Sequence, residues 1–174
     1  MDFNPNLTLI LGGARSGKSR YAEGLLTKLP APWLYVATAQ ALDAEMAERI
    51  ATHRLRRESG WQTVDAPHDL AAAVETFPPT IPMLIDCLTL WLSNRMLAQA
   101  DIEGEVGRLE AALDRRVGPT VLVANEVGCG IVPDNHLARR FRDLQGRLNQ
   151  TLAARADRVV LVVAGLPLVV KGSA

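Results

Sequence analysis

Cysteine is nearly absent: Cys87 and Cys129 are the only two in 174 residues. Each stands alone, without metal-ligand spacing and without partners for a disulfide framework. Both read as small buried apolar side chains, and the chain as one suited to a reducing cytoplasm. Long apolar runs are missing too. None reaches the ~18–20 residues that a membrane-spanning helix needs. The first residues, Met1 to Asn6, are polar and acidic, unlike the start of a signal peptide. Neither sign of charge is in excess: Lys and Arg number 19, as do Asp and Glu. That balance argues against a broad basic field for nucleic acid, so local arginine clusters are sites or solvated faces. Histidine is scarce, with only His53, His68 and His136.

What is present is a globular composition, 48% hydrophobic against 22% charged. The length suits a single domain over 1–174. Apolar, β-rich runs at Leu7–Leu11, Trp33–Thr38, Met83–Asp86, Thr120–Ala124 and Val159–Ala164 read as buried parallel strands. Helical patterns lie between them, near Lys18–Leu29, Asp43–Glu58, Asp69–Thr76, Leu88–Ala98 and Ile102–Arg116. The clearest helix runs from Asp134 to Arg155, with Leu137, Phe141, Leu144, Leu148 and Leu152 on one face. The alternation predicts an α/β fold with a mostly parallel central sheet flanked by helices. Pro78, Pro79 and Pro82 break the chain at a loop, not at a domain boundary.

The first strand runs into Gly12-Gly13-Ala14-Arg15-Ser16-Gly17-Lys18-Ser19. This matches the phosphate-binding pattern G-x-x-x-x-G-K-[ST] in its strand–loop–helix setting. Glycines let backbone N–H groups wrap an anion, and the new helix turns its positive end toward it. Lys18 supplies a mobile charge for the β- and γ-phosphates, and Ser19 a hydroxyl ligand for Mg²⁺. Such a loop needs an acid at the end of a neighbouring strand to order the metal. Asp86, closing an apolar run, fits that role, or else caps the segment from Leu88. Glu126, after the run ending at Ala124, is the competing acid and a candidate general base.

His53 begins His53-Arg54-Leu55-Arg56-Arg57. The stretch reads either as a solvated helix face or as a site. Neighbouring positive charge disfavours imidazolium and keeps a ring lone pair available. The same arginines could neutralise phosphate. His68 and His136 read as residues near helix starts.

Taken together, these motifs resemble the bifunctional adenosylcobinamide kinase / adenosylcobinamide-phosphate guanylyltransferase family of cobalamin biosynthesis. Besides the phosphate loop, the resemblance rests on Tyr35-Val36-Ala37-Thr38-Ala39, on Arg49-Ile50 with His53-Arg54, and on Asp86-Cys87-Leu88-Thr89. Its most distinctive stretch is Asn125-Glu126-Val127-Gly128-Cys129-Gly130-Ile131-Val132-Pro133. Arg139, Phe141-Arg142-Asp143, Gly146, Asn149-Gln150 and Ala164-Gly165-Leu166-Pro167 through Lys171 extend it over nearly the whole chain.

The resemblance implies a RecA-like P-loop fold and a homotrimer. It implies phosphorylation of adenosylcobinamide by ATP or GTP, then transfer of GMP from GTP to adenosylcobinamide phosphate. The second reaction passes through a GMP–histidine intermediate in that family, and His53 holds the matching position. Nucleotide contacts carry over to the phosphate loop, to Ala37, Thr38 and Ala39, to Arg54, Leu55, Arg56 and Arg57, and to Asp65 and Asp86. Leu55 could offer only backbone. Related sequences commonly carry Glu where this chain has Asp65, one methylene shorter. The phosphate loop alone would also suit a kinase for another small molecule, or a nucleotide switch without catalysis.

Overall fold

Strands that are apolar on both sides must be covered on both sides, and this chain covers them with helices. Its fold, seen in a computed structural model, is described for residues 6–41, 43–55 and 59–173, excluding the side chains of Glu45, Arg49 and His53. In chain order the elements are β1 (Leu7–Gly12), α1 (Lys18–Leu26), β2 (Trp33–Ala37), α2 (Ala44–Leu55), β3 (Trp61–Asp65) and α3 (Leu70–Thr76). There follow β4 (Met83–Asp86), α4 (Leu88–Leu97), α5 (Ile102–Asp114), β5 (Thr120–Asn125), α6 (His136–Arg155), β6 (Arg158–Val163) and β7 (Leu166–Lys171). The strands form one 7-stranded sheet in the order β3-β2-β4-β5-β1-β6-β7. All neighbours are parallel except β6 and β7.

Side chains along a strand alternate between two faces, and each face has its own core. Leu9, Val36, Ile85 and Leu122 pack with Leu70 of α3, Trp91 of α4, Leu109 of α5 and Leu148 of α6. Ile10, Tyr35, Leu84 and Val123 pack with Ala22 and Leu26 of α1. Helix starts are set by side chains that accept first-turn N–H groups: Asp69 for α3, Asp101 for α5 and Asn135 for α6. Among the described residues no helix is long and apolar enough to cross a membrane.

The expected parallel α/β order holds, with differences at the edges. β3 and β7 are not among the strands expected from the sequence. β3 is a half-exposed edge strand, Trp-Gln-Thr-Val-Asp. β7 carries Pro167, which an edge strand tolerates. Helix α1 stops at Leu26, short of Leu29, and the helix expected over 43–58 is described as Ala44–Leu55. Residues Ala164 and Gly165 join β6 to β7 with φ of 51° and 81°, the left-handed pair of a type I′ hairpin turn. On this hairpin Val163, Leu166, Leu168 and Val170 stay exposed.

Candidate active site

β1 ends at Gly12 and α1 begins at Lys18, so the glycine-rich loop lies at the C-terminal end of a central strand. Gly12 is required by space: a Cβ there would sit 2.6 Å from the Val162 carbonyl and 2.5 Å from Ser16 Oγ. Gly17 is required by conformation, with φ of 95° immediately before the helix. Arg15 also takes the left-handed region, at φ 55°. The loop is fastened from outside by the Gly165 N–H, which donates to the Ser16 carbonyl at 2.8 Å. Lys18 is only 8% exposed and donates from Nζ to the Gly13 carbonyl at 2.9 Å. Burial lowers its pKa, while the neighbouring Cys87 and Asp86 side chains pull the other way. Among the described residues no carboxylate bonds this buried ammonium, and an unpaired buried charge calls for a counter-charge.

The neighbouring strands deliver a row of residues at the same edge. Ala37 pairs in register with Asp65 of β3 on one side and Asp86 of β4 on the other. Asp86 accepts from Tyr35 Oη at 2.9 Å, which fixes one carboxylate oxygen. The strands beside β1 are β5 and β6, not β4, so the expected adjacency of Asp86 to the loop strand is corrected: β5 intervenes and presents Asn125 next to Gly12. Glu126, the competing acid, donates its N–H to the Gly12 carbonyl and accepts from Gly128 N–H on Oε1. It therefore folds back on its own turn. Cys87 is buried, and burial first and Asp86 second push its thiol up to about 12, so it stays a neutral thiol near neutral pH.

Thr38 is fully buried at 0% exposure. Its Oγ1 donates to the Cys87 carbonyl at 2.6 Å and accepts from Cys87 N–H at 2.8 Å. Its N–H donates to the Asp86 carbonyl, and its own carbonyl accepts from Asn94 Nδ2. Every polar group of Thr38 is thus engaged inside the fold. It clamps the ends of β2 and β4 together.

A cleft of about 1070 Å³ opens over these strand ends. Of the expected residues it brings together Ala14, Arg15, Ser16, Gly17, Lys18, Ser19, Ala37, Ala39, Arg54, Asp65 and Asp86. Gly12 and Gly13 shape the loop without lining the cleft. Arg54 Nη2 donates to both oxygens of Asp65, at 2.8 and 2.9 Å. Leu55 points away, 86% exposed. Arg56 and Arg57 lie outside the described residues, as does the side chain of His53, whose backbone belongs to α2 between Ile50 and Arg54 of the cleft wall. His68 and His136 are not in the wall.

Lining residues not singled out in advance as site residues include Tyr35, Met46, Ile50, Leu90 and Asn125. Met46, Ile50 and Arg54 fall four apart, on one side of α2, a spacing that the sequence did carry. Ser19 and Asp86 share the wall, and no group of three or more His, Cys, Asp or Glu residues able to hold a metal occurs among the described residues.

Residues 8–170 match the family described as cobinamide kinase / cobinamide phosphate guanyltransferase. The chain is 47% identical to the bifunctional adenosylcobalamin biosynthesis protein CobP of Pseudomonas aeruginosa, over 94% of this chain and 96% of that protein. It is 42% identical to the bifunctional adenosylcobalamin biosynthesis protein CobU of Salmonella typhimurium, over 95% of this chain and 99% of that protein. The solved RadB recombinase shares the fold with a TM-score of 0.50 at 17% identity, over 91% of this chain and 75% of that one.

The Thr38 clamp can be tested by Thr38→Val, which keeps the shape and removes the hydroxyl. Leaving buried Cys87 N–H without its acceptor should lower unfolding stability by about 1–3 kcal/mol in urea titrations. An unchanged midpoint would show that the clamp is dispensable.

Proposed function

The chain belongs to the cobinamide kinase / cobinamide phosphate guanyltransferase family, and we propose that both reactions run in the cleft around Lys18. It is a bifunctional enzyme of adenosylcobalamin biosynthesis with a RecA-like P-loop fold. One observation carries the reading of the site: a single cleft holds the phosphate loop, buried Lys18 and the braced carboxylate Asp86.

In the kinase step the hydroxyl of adenosylcobinamide attacks the γ-phosphorus of ATP or GTP. The loop N–H groups and the α1 N-terminus hold the triphosphate, and Lys18 neutralises its β- and γ-phosphates. Positioning and charge neutralisation supply most of the rate. Ser19 and Asp86 would hold Mg²⁺, which commonly binds through one or two carboxylates plus substrate phosphates. Bound there, Mg²⁺ supplies further neutralisation of the phosphoryl oxygens. Ala37 and Ala39 leave room for the nucleotide, and Thr38 keeps their row straight. Asp65 accepts from a ribose hydroxyl or a base N–H.

In the guanylyl step His53 attacks the α-phosphorus of GTP and pyrophosphate leaves in line. The corrinoid phosphate then attacks the histidine-bound GMP. Two displacements replace a single one between two anions. α2 supports this assignment, because Ile50 and Arg54 on either side of His53 both line the cleft. The Arg54–Asp65 pair is exposed, 49% and 61%, and such pairs contribute only about 0–1 kcal/mol. Arg54 can therefore leave Asp65 for a phosphate at little cost. Arg56 and Arg57 add charge along the same segment, and Leu55 backbone only.

The enzyme works as a homotrimer in a reducing cytoplasm. The exposed apolar row Leu166, Leu168 and Val170 on edge strand β7, beside Val163, is the surface that copies of the chain cover. Sedimentation should give a trimer for the native chain and a monomer for Leu168→Lys. A native monomer at micromolar concentration would refute the assembly, and a trimeric variant would refute the surface.

Incubation with α-labelled GTP should leave acid-labile, alkali-stable label on the protein, as expected for a P–N bond, while γ-labelled GTP leaves none by this route. His53→Ala should abolish the label and GMP transfer and keep at least part of the kinase activity. Covalent GMP on His53→Ala, or peptide mapping to His68, His136 or a lysine, would overturn the assignment.

A further inference from the structure

Asn125 ends β5 beside the phosphate loop. It is the register partner of Gly12, half-buried, and part of the cleft wall. Its backbone is held from several sides. The N–H donates to Thr89 Oγ1 at 2.7 Å, and the carbonyl accepts from Asn149 Nδ2 at 3.2 Å. Asn149 Oδ1 in turn accepts from Gln145 Nε2 at 2.8 Å. Both of these α6 side chains are buried, Gln145 at 0% and Asn149 at 6% exposure. The following residue, Glu126, bonds through its N–H to Gly12.

The carboxamide of Asn125 is treated differently. Among the described residues it bonds to nothing, and its Oδ1 is buried without a partner. The four positions just before it, Val121-Leu122-Val123-Ala124, are buried apolar residues. A purely structural position would continue that pattern, because an unpaired buried polar group costs free energy. Here polar side chains of α4 and α6 fix the backbone of one residue, while its own side chain stays uncommitted at the cleft. Glu126 is no substitute, since its carboxylate accepts from Gly128 and it does not line the cleft. In the proposed site Lys18 is the cation for the β- and γ-phosphates and Asp86 the carboxylate that would hold their metal. Both share the cleft wall with Asn125.

We propose that Asn125 is a catalytic residue of the kinase step. Its amide N–H groups donate to the γ-phosphoryl oxygens during transfer, and Thr89, Asn149 and Gln145 act as positioning residues. In that step the corrinoid hydroxyl oxygen bonds to the γ-phosphorus. The bond from that phosphorus to the β–γ bridging oxygen breaks, the nucleoside diphosphate leaves with the electron pair, and the hydroxyl proton passes to solvent. Asn125 remains neutral throughout and only donates hydrogen bonds. In guanylyl transfer the reacting centre is the α-phosphorus, at the other end of the triphosphate, so the demand on Asn125 is smaller. The inference rests on the reading that the kinase reaction uses this cleft.

The test uses the full chain and its Asn125→Ala, Asn125→Asp and Asn125→Ser variants. Kinase turnover is measured with adenosylcobinamide and GTP, GMP transfer with supplied adenosylcobinamide phosphate, and folding by thermal melting. Asn125→Ala should melt close to the native protein, since no internal bond is lost. Its kinase kcat should fall on the order of 100-fold, with KM for GTP within about threefold and with GMP transfer hit at least about tenfold less. Asn125→Asp keeps the shape but brings negative charge and no donor, so it should be at least as slow as Asn125→Ala. Asn125→Ser keeps a donor and should recover part of the loss. A near-native kinase rate in Asn125→Asp, or an equal fall in both reactions, would overturn the proposal. Failure of the native protein to phosphorylate adenosylcobinamide, or an unimpaired kinase rate in Lys18→Ala, would instead sink the reading beneath it.

Discussion

The Gly165 N–H donates to the Ser16 carbonyl at 2.8 Å, and the shape of the phosphate loop depends on that bond. A loop that binds anions must turn N–H groups outward and keep its carbonyls from facing the phosphates. Here the Ser16 carbonyl is held by the β6–β7 hairpin, and the Gly13 carbonyl by Lys18. Arg15 and Gly17 make the turn by adopting left-handed backbone. Gly17 lies so close to the hairpin that a Cβ on it would be 3.2 Å from Gly165 Cα. The anion site is thus built jointly by the loop and by a hairpin almost 150 residues later in the chain, as the hydrogen bond between residues 16 and 165 requires.

Sheet order distributes the remaining roles. β1 lies between β5 and β6, and β4 lies one strand further out. Asp86 therefore reaches the cleft from across β5, steadied by Tyr35, instead of from beside the loop. Asn125 occupies the intervening strand end. On the outer side, Ala37 and Asp65 extend the row along β2 and β3, and α2 overhangs it with Met46, Ile50 and Arg54. One edge of a parallel sheet thereby carries one pole of cleft residues at β1, β5 and β4, and a second pole at β2, β3 and α2. A reaction at the γ-phosphorus and a reaction at the α-phosphorus suit those two poles of one cleft.

The parts legible in the sequence were those whose chemistry forces a local pattern. Gly12 and Gly17 show themselves because no side chain fits at either place. Asp86 shows itself because a carboxylate closing an apolar strand needs a reason. Buried strands read as apolar runs because both their faces are covered. β3 lacked that pattern because it is a half-exposed sheet edge with polar Gln62, Thr63 and Asp65, and in β7 Pro167 interrupts an otherwise apolar stretch. Thr38 belonged to a recognisable motif, yet a hydroxyl reads the same whether it meets a ligand or clamps two strands. Asn125 had the same ambiguity within its own motif, and only the fates of its backbone and carboxamide separate them. The place of Asp86 relative to the loop needed the strand order, which no local spacing encodes.

The central claim is that one triphosphate site serves both chemistries. The most direct measurement is of both reaction rates in a folded Lys18→Ala variant at saturating corrinoid. Removing the ammonium that neutralises the β- and γ-phosphates should depress γ-phosphoryl transfer and GMP transfer together, each by on the order of 100-fold or more. A variant that loses one reaction and keeps the other near its native rate would show two separate nucleotide sites and contradict the account.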